Sequence, residues 1–142
     1  ERVVDIENSS SNEGEFLRLS NITKDNLISL RNKKIIQKLN DISSYDLAVL
    51  GMGDDGHFAS IFPDCINTSE AINSQNNIIS FKDEHLDFER ISLSLNEILK
   101  AKKIILIASS KNKQTILLDN KGLPVHHLLS KSSNKILIFS CD

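Results

Sequence analysis

The stretch DLAVLGMGDDGHFASIFPD, residues 46–64, sets an apolar run directly against a glycine-rich loop. Residues 46–50 read as a short buried strand, since a strand covered on both faces needs no polar alternation. Gly51, Gly53 and Gly56 then spell a literal G-x-G-x-x-G. After a strand, that spacing is the pattern of a loop that brings backbone N–H groups against a pyrophosphate at a helix N-terminus. Three features count against it here. Asp54 and Asp55 would face the anion with negative charge, and Pro63, seven residues past Gly56, cuts off the supporting helix. Residues 71–82 also hold no acidic side chain, which removes the ribose partner expected about 20 residues on.

The loop offers instead a titratable pair at the C-terminal end of a strand, where open α/β sheets place their ligands. His57 can take and return a proton near neutral pH, and Asp55, two residues earlier, can orient it. The competing reading makes Asp54 and Asp55 turn residues and His57 the partner of a loop hydrogen bond; the residues alone leave both open. A serine nucleophile is not indicated: G-x-S-x-G is absent and Ser60 lies only three residues from His57.

Outward from the loop, residues 8–14 (NSSSNEG) read as a polar loop. Asn21 or Thr23 can cap a helix carrying Leu27, Leu30, Ile35 and Leu39 and ending near Asn40. Residues 77–81, 90–95, 103–109 and 134–140 read as strands, and residues 96–103 and 111–120 as helices. Apolar strands alternating with helices predict an α/β fold, a mostly parallel sheet with helices on both faces. No repeat, low-complexity tract or linker divides the chain, so a single domain is expected.

The 142 residues carry a formal charge of −2, with 39% hydrophobic and 25% charged side chains, as a soluble domain does. That balance favours neither nucleic acid nor an anionic membrane as partner. No apolar run reaches the roughly 18 residues of a membrane span, and no signal-peptide pattern opens the chain, so a cytoplasmic protein is expected. Cys65 and Cys141 are expected to be free thiols, and His57, His85, His126 and His127 lack metal-ligand spacing. Neither a metal nor an organic cofactor is predicted.

The motif LGMGDDGHFASIFP resembles the signature of 6-phosphogluconolactonases, within the family that also holds glucosamine-6-phosphate deaminases. Other segments are similar in the same order: Glu1–Arg2 with Ser11–Asn12, RISLSLNEIL (90–99), SSKNKQTIL (109–117) and LPVHHLL (123–129). The resemblance implies a three-layer, Rossmann-like fold and hydrolysis of a sugar-phosphate lactone without cofactor, by a monomer or weak homo-oligomer. It implies that His57 is the base for water and then the acid for the leaving oxygen, helped by Asp55. Loop N–H groups from Gly53 to Gly56 become candidate substrate and oxyanion donors. Arg90 and Lys113 match positions near the substrate phosphate, and Arg2 a further arginine lining the site. In LPVHHLL, His126 and His127 are expected to cap a helix.

Deaminases of the family carry a carboxylate five residues after the histidine; here that position is Phe62, which points to lactone hydrolysis. A deaminase or isomerase, and a sugar-phosphate-binding module without catalysis, are the alternatives. Val3 departs from the family's usual aromatic residue, and Ser110 from the glycine of its G-x-x-K helix start. Family members also begin with further strands and helices, including a phosphate-binding turn. An N-terminal strand-helix block is therefore expected to be missing from these residues, leaving apolar sheet faces exposed.

Overall fold

Alternating strands and helices appear in the order α1 (Asn12–Leu19), α2 (Ile35–Asn40), β1 (Tyr45–Gly51), α3 (Thr68–Asn73), β2 (Ile78–Phe81), β3 (Arg90–Leu93), α4 (Leu95–Ile98), β4 (Ala101–Ala108), α5 (Lys111–Leu118), α6 (Pro124–Ser132) and β5 (Ile136–Ser140). The structure, a computed structural model, describes residues 1–32, 34–119 and 122–140. Cys141 and the last residue of the predicted helix 111–120 lie outside them.

β1, β4 and β5 form one sheet in the order β1-β4-β5, and both pairings are parallel. The predicted α/β fold with a parallel sheet is therefore present. One face of that sheet is core: Ile104, Leu106 and Ala108 of β4 are fully buried and cluster with Val125 and Leu128 of α6. Phe81, Leu95 and Ala71 extend the same cluster.

The opposite face is largely open among the described residues. Leu47 and Val49 are 49% and 58% exposed, and Ile107, Leu137 and Phe139, on the same face by register, are exposed beside them. β1 is thus not the fully buried strand that its apolar run predicts. An apolar run reports what a strand is suited to pack against, not what covers it.

β2 and β3 stand apart as an antiparallel pair. Only residues 82–89 connect them, too few for a parallel crossover, which needs a dozen or more. Residues 1–3 continue this ladder: the Ile91 N–H donates to the Glu1 carbonyl at 2.9 Å and the Val3 N–H to the Glu89 carbonyl at 2.8 Å. Arg2 and Arg90 are consequently cross-strand neighbours.

Most strand boundaries shift by one or two residues, and three further departures have a local cause. The polar loop 8–14 ends early because Ser11 caps α1, its Oγ accepting the Gly14 N–H at 3.0 Å, with Glu13 and Glu15 in the first turn. The single helix expected up to Asn40 is broken into a 3₁₀ turn (Lys24–Asn26) and α2. Side chains compete for the intervening backbone: Ser29 Oγ takes the Arg31 N–H and Asn32 Oδ1 the Lys34 N–H. Arg31 is meanwhile drawn to Glu13 at 3.2 Å. The helix over 96–103 stops at Ile98, and β4 begins at Ala101. The fully buried Glu97 carboxylate is held there by Lys100 at 2.9 Å and by the Tyr45 hydroxyl. Burial and the adjacent Glu97 push the Tyr45 phenol well above its ordinary range.

The loop after β1 is itself anchored in the core. Phe58 is fully buried and forms bridges to Met52 and Ile61, folding the loop back on itself. Phe58→Ala is expected to lower unfolding stability by about 3–5 kcal/mol, read from urea denaturation.

Candidate active site

Backbone geometry brings the loop's two functional side chains together. The Gly53 N–H donates to the His57 carbonyl at 2.8 Å and the Gly56 N–H to the Gly53 carbonyl at 3.2 Å, closing a tight turn. Within it, Asp55 Oδ1 lies 2.6 Å from His57 Nδ1 and also accepts the His57 backbone N–H at 3.1 Å. The carboxylate therefore holds both the ring and its backbone, and favours the proton on Nδ1. Nε2 has no hydrogen-bond partner among the described residues, and the His57 side chain is 30% exposed. Nε2 is thus the uncommitted nitrogen of a partly exposed ring at the end of β1.

The glycines serve this geometry. A Cβ at Gly53 would sit 2.3 Å from two atoms of the His57 ring and 2.5 Å from Asp55 Oδ1. Gly56 has φ +81°, and a Cβ there would strike Leu123 at 2.8 Å. Their amides are already engaged inside the turn. The expectation that N–H groups from Gly53 to Gly56 face a substrate thus narrows to Asp54 and Asp55, whose amides have no partner among the described residues. Ala59 and Asp64 also adopt positive φ, so the segment past the histidine stores strain where the site is built.

Beyond His57 lies a ring and then cations. The Phe62 ring centroid is 4.4 Å from that of His57, and the Arg90 guanidinium carbon is 5.6 Å from the Phe62 centroid. Arg2, the cross-strand neighbour of Arg90, donates through Nη1 to the Ser10 carbonyl at 3.0 Å. The Nε atoms of both arginines are buried without a partner, and neither guanidinium is in an ion pair among the described residues. Burial, with the Arg2 charge adding, pulls the Arg90 guanidinium below its ordinary range. Asp87 and Glu1 offset the Arg90 charge only from beyond ion-pair distance, and two adjacent guanidiniums so placed suit an anion.

Lys113 is placed less directly. It sits in the first turn of α5, and its neighbour Asn112 reaches Asp54 Oδ1 at 3.4 Å. Its ammonium makes no hydrogen bond or ion pair among the described residues. Ser110, the departure from glycine, is the N-cap of α5, its Oγ accepting the Lys113 N–H at 3.3 Å. Its φ of −154° is extended backbone open to any residue, so the substitution costs no strain.

His126 caps α6 as expected. Its Nδ1 accepts the Leu123 N–H at 3.1 Å, and Nε2 lies 2.7 Å from the Ile116 carbonyl. Cys65 is a buried free thiol, pushed up by burial and by the carboxylates of Asp83 and Asp64. No cluster of three or more histidine, cysteine or acidic residues suited to a metal occurs among the described residues. No helix among them is long and apolar enough to cross a membrane.

Sequence reasoning singled out Asp55, His57, Arg2 and Arg90, which the fold gathers into one region. It missed that Phe62 touches both the imidazole and Arg90. Phe62 was legible only as the absence of a carboxylate, because ring contacts leave no trace in spacing.

The chain is thus an α/β domain with a histidine–carboxylate pair at a strand end and, across the Phe62 ring, two arginines without an ion-pair partner among the described residues. The model of the family described as glucosamine-6-phosphate isomerases/6-phosphogluconolactonase matches residues 1–135, and the chain belongs to that family. A 6-phosphogluconolactonase from Helicobacter pylori (strain ATCC 700392 / 26695) is 33% identical over 129 residues, covering 82% of this chain and 56% of the relative. One from Chlamydia pneumoniae is 30% identical over 130 residues, covering 82% and 49%. The chain thus spans about half the length of the curated relatives it matches. In fold it is similar to the crystal structure of a 6-phosphogluconolactonase from Shewanella baltica OS155. The TM-score is 0.85 at 24% identity, covering 99% of this chain and 68% of that one.

Proposed function

We propose that the protein hydrolyses 6-phospho-glucono-1,5-lactone to 6-phosphogluconate, the lactone-opening step of the oxidative pentose phosphate pathway, in the cytosol. The observation that carries this reading is the Asp55–His57 pair with Nε2 unengaged, linked through the Phe62 ring to Arg90 and its neighbour Arg2, neither in an ion pair among the described residues.

Water placed at Nε2 loses a proton to the imidazole as its oxygen attacks the lactone carbonyl carbon. Asp55, fixed at Nδ1, stabilises the imidazolium that forms. The tetrahedral intermediate carries an oxyanion, for which the uncommitted amides of Asp54 and Asp55 are the loop donors remaining. Collapse breaks the bond to the ring oxygen, and the imidazolium returns its proton there. The product carboxylic acid then ionises. Arg90 and Arg2 hold the 6-phosphate, with Lys113 as a point charge at its edge.

Phosphate recognition makes the reading testable. Arg90→Ala is expected to raise KM for the phosphorylated lactone by about 10-fold or more. The same substitution leaves hydrolysis of glucono-1,5-lactone, which lacks the phosphate, unchanged. Michaelis kinetics on the two lactones checks this, and equal losses on both would remove Arg90 from the phosphate site. Phe62 supplies no carboxylate for amino-sugar ring opening, so glucosamine 6-phosphate is expected to release no ammonia.

A further inference from the structure

One aromatic ring touches both chemical halves of the site. Phe62 meets the His57 imidazole at 4.4 Å, inclined by 38°, and the Arg90 guanidinium stands 5.6 Å from the same ring. Its backbone has little freedom: the carbonyl accepts Thr68 Oγ1 at 2.7 Å, and Pro63 confines the preceding residue to extended geometry. The ring is partly buried against the hydrophobic core. Gly53 and Asp55 limit the imidazole on other sides, and Phe62, farther along the same loop, adds the aromatic contact.

We propose that Phe62 is a positioning residue for the hydrolysis: its ring orients the His57 imidazole toward the reacting water and holds Arg90 at a set distance from it. This rests on the function proposed above. The physical basis is the ring's negative faces, which attract cations. Arg90 is a permanent cation, and His57 becomes one each time it takes a proton from water. A leucine of comparable bulk fills the space but offers neither charge a partner.

The test compares wild type, Phe62→Leu and Phe62→Tyr in the native-length protein, with equal thermal unfolding confirming that all three are folded. Phe62→Leu is expected to lower kcat by about 5-fold or more and to raise KM, while Phe62→Tyr stays within about 2-fold of wild type in both. Leucine matching wild type, or tyrosine failing as badly as leucine, would overturn the proposal. A second readout needs no turnover. The ring current of Phe62 should displace the His57 Cε1–H resonance in wild type and in Phe62→Tyr, and the displacement should vanish in Phe62→Leu. Should wild type fail to hydrolyse the lactone, the proposed reaction falls, and this resonance still decides the orienting contact. An identical resonance in wild type and Phe62→Leu would overturn it.

Discussion

His57→Ala is expected to lower turnover of 6-phosphogluconolactone by about 10²-fold or more, the scale of general acid–base catalysis. The side chain is partly exposed and is held by Asp55 and Phe62 at the rim of the loop. Its removal therefore leaves the buried bridges among Met52, Phe58 and Ile61 in place, and unfolding should shift little. Loss of activity without loss of stability would assign the effect to chemistry. Steady-state kinetics beside a urea titration separates the two, and an active His57→Ala would show that another group activates the water.

The second large effect comes from a methyl group. In Gly53→Ala the new Cβ would overlap the imidazole at 2.3 Å and the Asp55 carboxylate at 2.5 Å, so one or both must move. Displacing a catalytic group by about 1 Å costs on the order of 10²-fold in rate. The effect acts through His57, so the double variant Gly53→Ala/His57→Ala should be scarcely worse than His57→Ala alone. Additive losses in that cycle would mean that Gly53 serves something other than the imidazole.

These two residues also show how far the sequence can be read. The strand before Gly51 and the histidine two residues after Asp55 were legible, because apolar runs and short spacings are local properties. The requirement for glycine at 53 was not, since it arises only when the turn carries the ring back over the Gly53 Cα. Arg2 and Arg90 are 88 positions apart in the chain and meet through the ladder that residues 1–3 add to β3. Only the resemblance pointed to that meeting; periodicity could not. The helix expected to reach Asn40 failed for a related reason. Leu27, Leu30, Ile35 and Leu39 recur at roughly helical spacing in the sequence, but Ser29 and Asn32 had nearer backbone partners.

The exposed face of the sheet is a further case. Leu47, Val49, Leu137 and Phe139 have the composition of strands covered on both faces, yet all four are exposed in this chain. Composition announced a covering layer that the described residues do not contain.

The central claim is hydrolysis of a phosphorylated lactone, and one measurement addresses it most directly. Lactone generated enzymatically from glucose 6-phosphate is given to the native-length protein, and 6-phosphogluconate formation is followed against the spontaneous rate. The account predicts acceleration that scales with enzyme concentration and saturates with substrate. A rate equal to spontaneous opening, from protein shown to be folded, would contradict it.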